Sequence, residues 1–302
     1  MAVSVATVWT DPHKPRPLEA PALGNPVDVR QWLANMELAD KYGLSDQNIS
    51  QTQVLYGEPV HVLETVDGWC RIAVPGQSTP KNALGYPGWM PAAQLSEDAR
   101  FAAATTQSSP VTVTRAPTAW LHADPSLRTR VLEVSFLTRL PLVNRTDGAW
   151  CLDTPHGPRW IAVADVAAPE DRIGRAAPEG VELVEIAKEF LGLPYLWGGR
   201  SGFAPDCSGL TSLVYAAAGI DLPRDASAQA VDAAGIKIEI ADLRAGDLLF
   251  WANDKGAGSV HHVAMCVDRE TMIEAPGSAD PVRITPIRFD EEYCGARRFL
   301  RA

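Results

Sequence analysis

The chain has 302 residues, which exceeds the usual size of one domain, so two or three hydrophobic cores are expected. A formal net charge of −10 argues against nucleic acid or an anionic membrane surface as a partner. No apolar run reaches the roughly 20 residues of a membrane-spanning helix, and the first residues lack the basic and apolar regions of a signal peptide.

The N-terminal segment is rich in proline at its start and then contains "PVDVRQWLANMELADKYG", a stretch with helical character. We expect residues 1–44 to form a lead-in that packs on the first folded module.

An internal repeat follows this segment. "VHVLETVDGWCRIAVP" at 60–75 is echoed by "LPLVNRTDGAWCLDTP" at 140–155, each with apolar alternation, an Asp-Gly turn and a Trp-Cys pair. Alternating strands joined by Asp-Gly turns are typical of small antiparallel barrels. The repeat predicts two such barrels, at 45–100 and 110–168. Cys70 and Cys151, which belong to the Trp-Cys pairs, are interpreted as core residues without reactivity.

The pattern changes after "APEDRIGRAAPEG", which we interpret as a linker. Three helices are predicted within "VELVEIAKEFLG", "DCSGLTSLVYAAAG" and "DASAQAVDAAG", the first two ending at Gly192 and Gly219. Short strands are predicted after them in "DLLFWA", "HHVAMCVD", "TMIEAP" and "ARRFL". Helices followed by an antiparallel sheet predict an α+β domain at 180–302.

The five cysteines are few and odd in number, and none has CxxC spacing. This usage favours reduced thiols over a disulfide framework, and no spacing of Cys or His suggests a zinc site. We expect no metal and no organic cofactor. The expected location is the cytoplasm, or the periplasm or exterior if a signal peptide has been removed.

Cys207 in "PDCSGL" is either a small core residue or a nucleophile. It lies at the predicted start of a helix, where unpaired N–H groups favour an anion and are expected to lower a thiol pKa. The only histidines of the last domain are His261 and His262. Strand alternation puts His262 on the face with small residues, which favours it as the base. Glu274 is expected on the same face, either orienting His262 or as a solvated strand residue.

Four ordered motifs carry a resemblance: "GLPYLWGGRSGFAPDCSGL", "LPRDASAQ", "RAGDLLFW" and "HHVAMCVDRETMIEAPGS". Together they resemble the NlpC-type cysteine peptidases, papain-like enzymes that cut γ-D-glutamyl bonds in bacterial cell-wall peptides. With two SH3-like barrels before them, containing "TQVLYGE" and "GYPGW" in the first, the chain resembles the three-domain γ-D-glutamyl-L-diamino acid endopeptidases of murein-peptide recycling. The fold class implied is α+β, with two all-β barrels and a papain-like catalytic domain.

The resemblance implies Cys207 as nucleophile and His262 as general base. Glu274 stands in the place of the orienting residue, which is commonly a histidine in the family, and this is a departure. Tyr195 is implied near the nucleophile, where its hydroxyl can donate to the developing oxyanion or contact the peptide; the alternative is a core aromatic. A second departure is Ala226, at a place where a hydroxyl residue is frequent.

Substrate contacts are implied for a further set of residues. Asp206 is similar to the acidic residue that reads the free α-ammonium of L-alanine, with Ser208 assisting. Arg224 and Asp225 are either substrate contacts or a structural ion pair. In these relatives the first barrel closes one end of the cleft with polar residues that contact the substrate. Glu58 and Tyr86 are the candidates for that role here; the alternative is that both are ordinary residues of the barrel surface.

The expected function is hydrolysis of the γ-D-glutamyl–diamino acid bond in short murein peptides with a free N-terminal L-Ala, releasing L-Ala-D-Glu. The protein is expected to act as a monomer, without nucleic-acid or membrane partners. One alternative is a secreted peptidoglycan hydrolase that acts on intact wall. Another is a catalytically silent wall- or peptide-binding protein, in which Cys207 reacts sluggishly with iodoacetamide near neutral pH.

Overall fold

The structure is a computed structural model that describes residues 1–107, 110–113, 116–167 and 178–300. Contacts divide the chain into two compact units, one of Met1–Pro75, Pro87–Arg175 and Ser201–Phe203, the other of Gly76–Tyr86, Ala176–Arg200 and Ala204–Ala302. The predicted α+β class is confirmed, with three antiparallel sheets in the described part of the chain. The predicted domain boundaries stay a prediction. Residues 168–177 of the predicted linker lie outside the described residues, as do residues 301–302, and its last residue, Gly180, begins a helix.

The first sheet includes a strand from the N-terminal segment. In the part of the chain described, its order is β2-β1-β5-β4-β3. These strands are β1 (Val5–Trp9), β2 (Ser50–Leu55), β3 (His61–Val66), β4 (Trp69–Val74) and β5 (Tyr86–Pro91). The helices of this region are α1 (Ala20–Leu23), α2 (Val29–Asn35) and α3 (Leu38–Asp46), with 3-10 turns at Pro17–Glu19 and Ala92–Gln94. Because β1 lies between β2 and β5, the lead-in segment contributes directly to the first sheet.

The repeat forms two similar hairpins, one in each of the first two sheets. Asp67 and Gly68 have φ angles of 48° and 78°, the left-handed pair that a two-residue hairpin turn requires. This turn joins β3 to β4, and Val66 pairs with Trp69 across it. Cys70 and Cys151 are both buried, as the sequence predicts.

The second sheet has the order β12-β6-β9-β10-β11-β7-β8 among the described residues. It follows α4 (Ala99–Gln107) and consists of β6 (Pro110–Val113), β7 (Thr118–His122), β8 (Arg130–Ser135), β9 (Arg139–Arg145), β10 (Ala149–Leu152), β11 (Arg159–Ala162) and β12 (Val166–Ala167), with a 3-10 turn at Val163–Asp165. Its inward side chains, among them Leu121, Val134 and Ile161, form one apolar core.

The third sheet belongs to the other unit and has the order β13-β18-β14-β15-β16-β17 in the described chain. It is preceded by α5 (Gly180–Lys188), α6 (Cys207–Ala217) and α7 (Ala226–Gln229). Its strands are β13 (Ile236–Ile238), β14 (Leu248–Ala252), β15 (Val260–Cys266), β16 (Thr271–Glu274), β17 (Arg283–Pro286) and β18 (Tyr293–Arg298), with a 3-10 turn at Ile240–Asp242. Among the described residues, every helix is too short or too polar to cross a lipid bilayer.

Helix α6 is buried along its whole length and packs against β15 and α5. A helix that is buried on all sides belongs in a core. It ends as predicted at Gly219, where φ is 85° and the Ile220 N–H donates to the Tyr215 carbonyl at 2.9 Å.

The third predicted helix is much shorter than the sequence suggests. Only Ala226–Gln229 is helical, because the guanidinium of Arg297 on β18 binds the carbonyl groups that a longer helix would use. It donates to the carbonyls of Ala230, Asp232 and Gly235, the last at 2.7 Å.

Candidate active site

The start of α6 is fixed by Asp206 and by the backbone of Gly199. The Asp206 carboxylate accepts the Gly209 N–H at 2.7 Å, which caps the helix, and the Asp206 N–H donates to the Gly199 carbonyl at 3.0 Å. A β-carbon at Gly209 would come within 2.0 Å of that carbonyl oxygen. The glycine of "DCSGL" is therefore required for the helix to approach Gly199 closely.

Cys207 is the first residue of α6, and its sulfur is hydrogen-bonded to the backbone of Val263 on β15. Burial, with the neighbouring Asp206 charge as a second cause, raises the pKa of the Cys207 thiol to about 12. The sequence-based expectation of a lowered pKa is wrong for this state of the protein. The main reason is that the thiol is buried, and in addition the Asp206 carboxylate accepts an N–H of the first helical turn and adds a negative charge beside the sulfur.

His262 and Glu274 meet across the third sheet. Met265 pairs with Ile273, a register that continues toward Ala264 and Glu274 as the sequence predicts. His262 Nε2 lies 2.9 Å from Glu274 Oε2. His261 lies on the opposite face, where its Nε2 is 3.4 Å from Glu292 Oε2. Strand alternation thus separates the two histidines and directs His262 toward the carboxylate.

Glu274 is held on both oxygens. Its side chain is 0% exposed and receives Arg288 Nη1 at 2.9 Å on Oε1 and Arg288 Nη2 at 3.0 Å on Oε2. Arg283 Nε and Thr285 Oγ1 each lie 3.3 Å from Oε1. Burial raises the pKa of Glu274, but the hydrogen bonds from His262 and Arg288 outweigh it and lower the value to about 2. The carboxylate is therefore ionised at neutral pH.

The sequence did not indicate two of these partners of Glu274. Arg283 lies on β17, the strand after Glu274, and Arg288 lies in the loop that follows β17. Their spacing forms no recognisable motif. The available signal was chemical. A glutamate predicted to lie inside a sheet next to a histidine needs a cation to ionise there, and these arginines are the next ones in the chain.

Tyr195 lies close to the nucleophile. It is buried, and burial followed by the charge of Cys207 raises its pKa well above the ordinary value. A tyrosine with a raised pKa keeps its proton, so its hydroxyl can act as a hydrogen-bond donor. Its predicted role at the oxyanion or as a peptide contact stays a prediction.

A second buried ion pair lies directly before Cys207. Arg224 Nη2 is 2.7 Å from Asp206 Oδ2, and Arg224 Nη1 lies 3.1 Å from Asp206 Oδ1 and 2.9 Å from Ser208 Oγ. The Arg224 side chain is 2% exposed. Arg224 therefore forms an ion pair with Asp206, and the predicted roles of Arg224 and Asp225 stay predictions.

Asp225 pairs with the segment around Tyr86, which belongs to the same compact unit. The Tyr86 hydroxyl donates to Asp225 Oδ1 at 2.9 Å, and Lys81 Nζ lies 3.0 Å from Asp225 Oδ2. Burial, then the Asp225 charge, raises the pKa of Tyr86 above its ordinary value. Two of the predicted polar contacts thus meet.

Glu58 belongs to the other compact unit. Its Oε2 accepts the Leu55 N–H at 2.9 Å, and its carbonyl accepts the N-terminal ammonium of Met1 at 3.0 Å. In the described structure its side chain therefore stabilises the turn after β2. Its predicted substrate contact stays a prediction.

Family models match two parts of the chain. One described as "NlpC/P60 family" matches residues 192–298, and one described as "YKFC SH3b2 domain" matches residues 114–168. The first match contains every site residue described above except Tyr86, Lys81 and Glu58.

Known proteins match almost the whole chain. One named gamma-D-glutamyl-L-lysine dipeptidyl-peptidase, from Bacillus cereus (strain ATCC 10987 / NRS 248), is 40% identical over 302 residues, covering 99% of this chain and 90% of the relative. Another of that name, from Bacillus subtilis (strain 168), is 37% identical over 298 residues, covering 98% and 96%. A crystal structure of an NlpC/P60 family protein from Bacillus cereus ATCC 10987 superposes with a TM-score of 0.93 at 41% identity, covering 100% of this chain and 99% of that one.

Proposed function

Because the chain belongs to the NlpC/P60 family of cysteine peptidases, we propose that it hydrolyses the γ-D-glutamyl–diamino acid bond of short murein peptides. The substrate carries a free N-terminal L-Ala, and the released product is L-Ala-D-Glu. The names of the two Bacillus relatives, which match over nearly the full length, support this substrate class. The observation that carries the chemistry is the contact between His262 and a fully buried Glu274, on the sheet that receives the Cys207 helix.

The contact supports an assignment of roles to the two ring nitrogens of His262. Glu274 is ionised and can only accept a hydrogen bond, so the proton of this contact is on Nε2. Nδ1 is then the nitrogen that takes the thiol proton. Since burial disfavours an isolated Cys207 thiolate, the thiolate forms as an ion pair with the His262 imidazolium, with the substrate bound.

The reaction proceeds through an acyl-enzyme. The Cys207 sulfur attacks the γ-carbonyl carbon, and the Tyr195 hydroxyl and the N–H groups at the start of α6 stabilise the oxygen that becomes negative. The C–N bond breaks, and the His262 imidazolium gives its proton to the departing amine of the diamino acid. A water molecule, deprotonated by His262, then hydrolyses the thioester and releases the dipeptide.

The charged groups beside the nucleophile fit a cationic peptide end. We assign the α-ammonium of L-Ala to Asp225 and the Tyr86 hydroxyl in the first place, because Asp225 is 26% exposed whereas the charge of Asp206 is matched by the buried Arg224. The Ser208 hydroxyl donates to Asp206 Oδ1 at 3.2 Å, so both residues take part in the Arg224 ion-pair network beside the nucleophile. Lys81 forms an ion pair with Asp225 in the described structure, so the substrate ammonium has to compete with this internal cation for the carboxylate.

The test uses the tripeptide L-Ala-γ-D-Glu-diamino acid and mass spectrometry of the released dipeptide. The wild-type protein should release L-Ala-D-Glu, and Cys207→Ala should not. N-acetylation of the tripeptide should strongly reduce turnover, because the acetyl group removes the positive charge. Unchanged turnover of the acetylated peptide would instead favour a hydrolase of intact wall, and equal release by both proteins would remove the nucleophile assignment.

A further inference from the structure

Glu274 stands where the resemblance led us to expect a histidine, and it places a negative charge beside His262. A neutral partner orients an imidazole without strongly changing its affinity for a proton. A carboxylate at 2.9 Å stabilises the imidazolium. An imidazolium that is too stable is a weak acid, and it then protonates the departing amine slowly.

The structure contains a group suited to this problem. Arg288 contacts both oxygens of Glu274, including Oε2, the oxygen that binds His262. The Arg288 guanidinium also lies over the Trp251 ring, 5.0 Å from its centre, and the Arg288 carbonyl accepts the Trp251 indole N–H at 3.1 Å. The Trp251 ring lies 5.4 Å from the His262 ring. Arginine, carboxylate, imidazole and indole thus form one contiguous cluster.

We propose that Arg288 is a positioning residue of this active site, which fixes the Glu274 carboxylate and offsets its charge so that a glutamate can orient His262. The bidentate contact prevents rotation of the carboxylate, and the guanidinium charge limits how strongly the imidazolium is stabilised. This inference rests on the proposed roles of Cys207 and His262.

Arg283 does not fit this role equally well. It reaches only Oε1 among the contacts with Glu274, at 3.3 Å in the described structure, and its Nη1 is also 3.2 Å from Asp280. Its charge is therefore shared with a second carboxylate. Arg288 is the arginine that bridges the two oxygens.

The charged and titratable groups around His262 come from several elements. Glu274 faces it from β16, with Arg288 and Arg283 behind the carboxylate. Cys207 reaches the neighbouring Val263 backbone from α6. Because the proposed proton transfer between Cys207 and His262 would otherwise contribute to the signal, the effect of Arg288 is measured most cleanly with the thiol removed.

The experiment therefore follows His262 by NMR in the full-length Cys207→Ala protein, as the change of its ring carbon–hydrogen signal with pH. In this background Arg288→Gln should raise the pKa of His262 by about 1 pH unit, because the Glu274 charge is no longer offset. Arg288→Lys keeps the charge and should leave this pKa close to the parent value. An unchanged pKa in Arg288→Gln, or an equal rise in Arg288→Lys, would overturn the proposal.

Arg298 provides the matched control. It holds the fully buried Asp247 in the same bidentate manner, with Nε 2.7 Å from Oδ1 and Nη2 2.8 Å from Oδ2. It lies on β18, which β14 separates from β15. Arg298→Gln should lower stability without moving the pKa of His262. A shift as large as that of Arg288→Gln would reduce Arg288 to a general structural role.

Activity supplies a test that does not depend on a single variant. With Cys207 present, Arg288→Gln should lower kcat about 10-fold to 100-fold with a smaller change in KM, and Arg288→Lys should fall between it and the wild type. In a Glu274→His background the sign should reverse. There Arg288 faces a neutral ring, and Arg288→Gln should raise kcat. The same factor of loss in both backgrounds would contradict the proposal. Failure of the wild type to cleave the tripeptide would count against the proposed function alone, because the NMR titration needs no substrate.

Discussion

Asp206 and Glu274 are both buried carboxylates that hold an arginine, yet they differ in what their second contact does. Asp206 binds Arg224 and caps the helix that begins at Cys207. Glu274 binds Arg288 and passes its remaining hydrogen bond to His262. Arg224 is enclosed, whereas Arg288 is 39% exposed. The first pair fixes a backbone, while the second fixes a side chain that has to exchange a proton. Two similar ion pairs can therefore have different roles, one in the stability of a helix start and the other in proton transfer.

Of all the substitutions, removal of the His262 imidazole should lower the activity most. His262→Ala should lower kcat/KM about 1,000-fold or more, because Cys207 then has no base. The same variant should slow alkylation of Cys207 by iodoacetamide at pH 7. Since burial raises the pKa of the Cys207 thiol to about 12, the alkylation rate of the variant should keep rising with pH toward that value. Mass spectrometry of the Cys207 peptide measures it, and equal rates in both proteins at pH 7 would exclude His262 as the base.

The two carboxylates should respond differently to removal. Glu274→Ala should lower kcat about 100-fold, because His262 loses its orienting partner and faces uncompensated arginine charge. Asp206→Ala should lower the free energy of unfolding by about 3–5 kcal/mol, because Arg224 is left buried without a counter-charge and the helix loses its cap.

Urea unfolding and steady-state kinetics on both variants check this contrast. The control is Asp206→Asn, which can keep the helix cap and so separates the cap from the charge. If Glu274→Ala proved as destabilising as Asp206→Ala while keeping full activity per folded molecule, the distinction between the two carboxylates would be wrong.

A further prediction concerns Asp225, which we assign to the ammonium group of the substrate. Asp225→Asn should raise KM for the free tripeptide about 10-fold, because a charged contact to the ammonium is lost, and should leave the slow reaction of the N-acetylated peptide unchanged. The ratio of kcat/KM for the two peptides is the quantity to measure. A fall of the same size for both peptides would contradict the assignment of Asp225.

The smallest effect is expected at Lys81. Its side chain is 44% exposed, so the pair with Asp225 is weak, and Lys81→Met should lower KM about 2-fold to 5-fold by removing the competing cation. Raising the salt concentration should reduce the difference between the two proteins. A higher KM in Lys81→Met would mean that the lysine supports substrate binding.

The sequence predicted those parts of the molecule that depend on short-range pattern. The start of a helix at Cys207, the hairpin with its turn at Asp67-Gly68 and the register between His262 and Glu274 all follow from patterns along one or two adjacent elements. The α+β class followed from the order of the predicted helices and strands.

Long-range pairing could not be predicted in the same way. Arg224 pairs with Asp206 across 18 positions, and Arg288 with Glu274 across 14, through loops whose paths no spacing rule determines. The sign of the shift in the Cys207 pKa was wrong because burial, its larger cause, depends on how distant parts of the chain pack, and because the charge of the adjacent Asp206 was not weighed against the helix start.

The central claim is that Cys207 forms a covalent acyl-enzyme with the dipeptide. Rapid acid quenching of the wild-type protein during turnover of L-Ala-γ-D-Glu-diamino acid, followed by proteolysis and mass spectrometry, measures it directly. We expect a peptide that contains Cys207 and carries the added mass of an L-Ala-D-Glu acyl group, and we expect no such addition in Cys207→Ala. Continued turnover by Cys207→Ala, or the acyl group on another of the five cysteines, would contradict it.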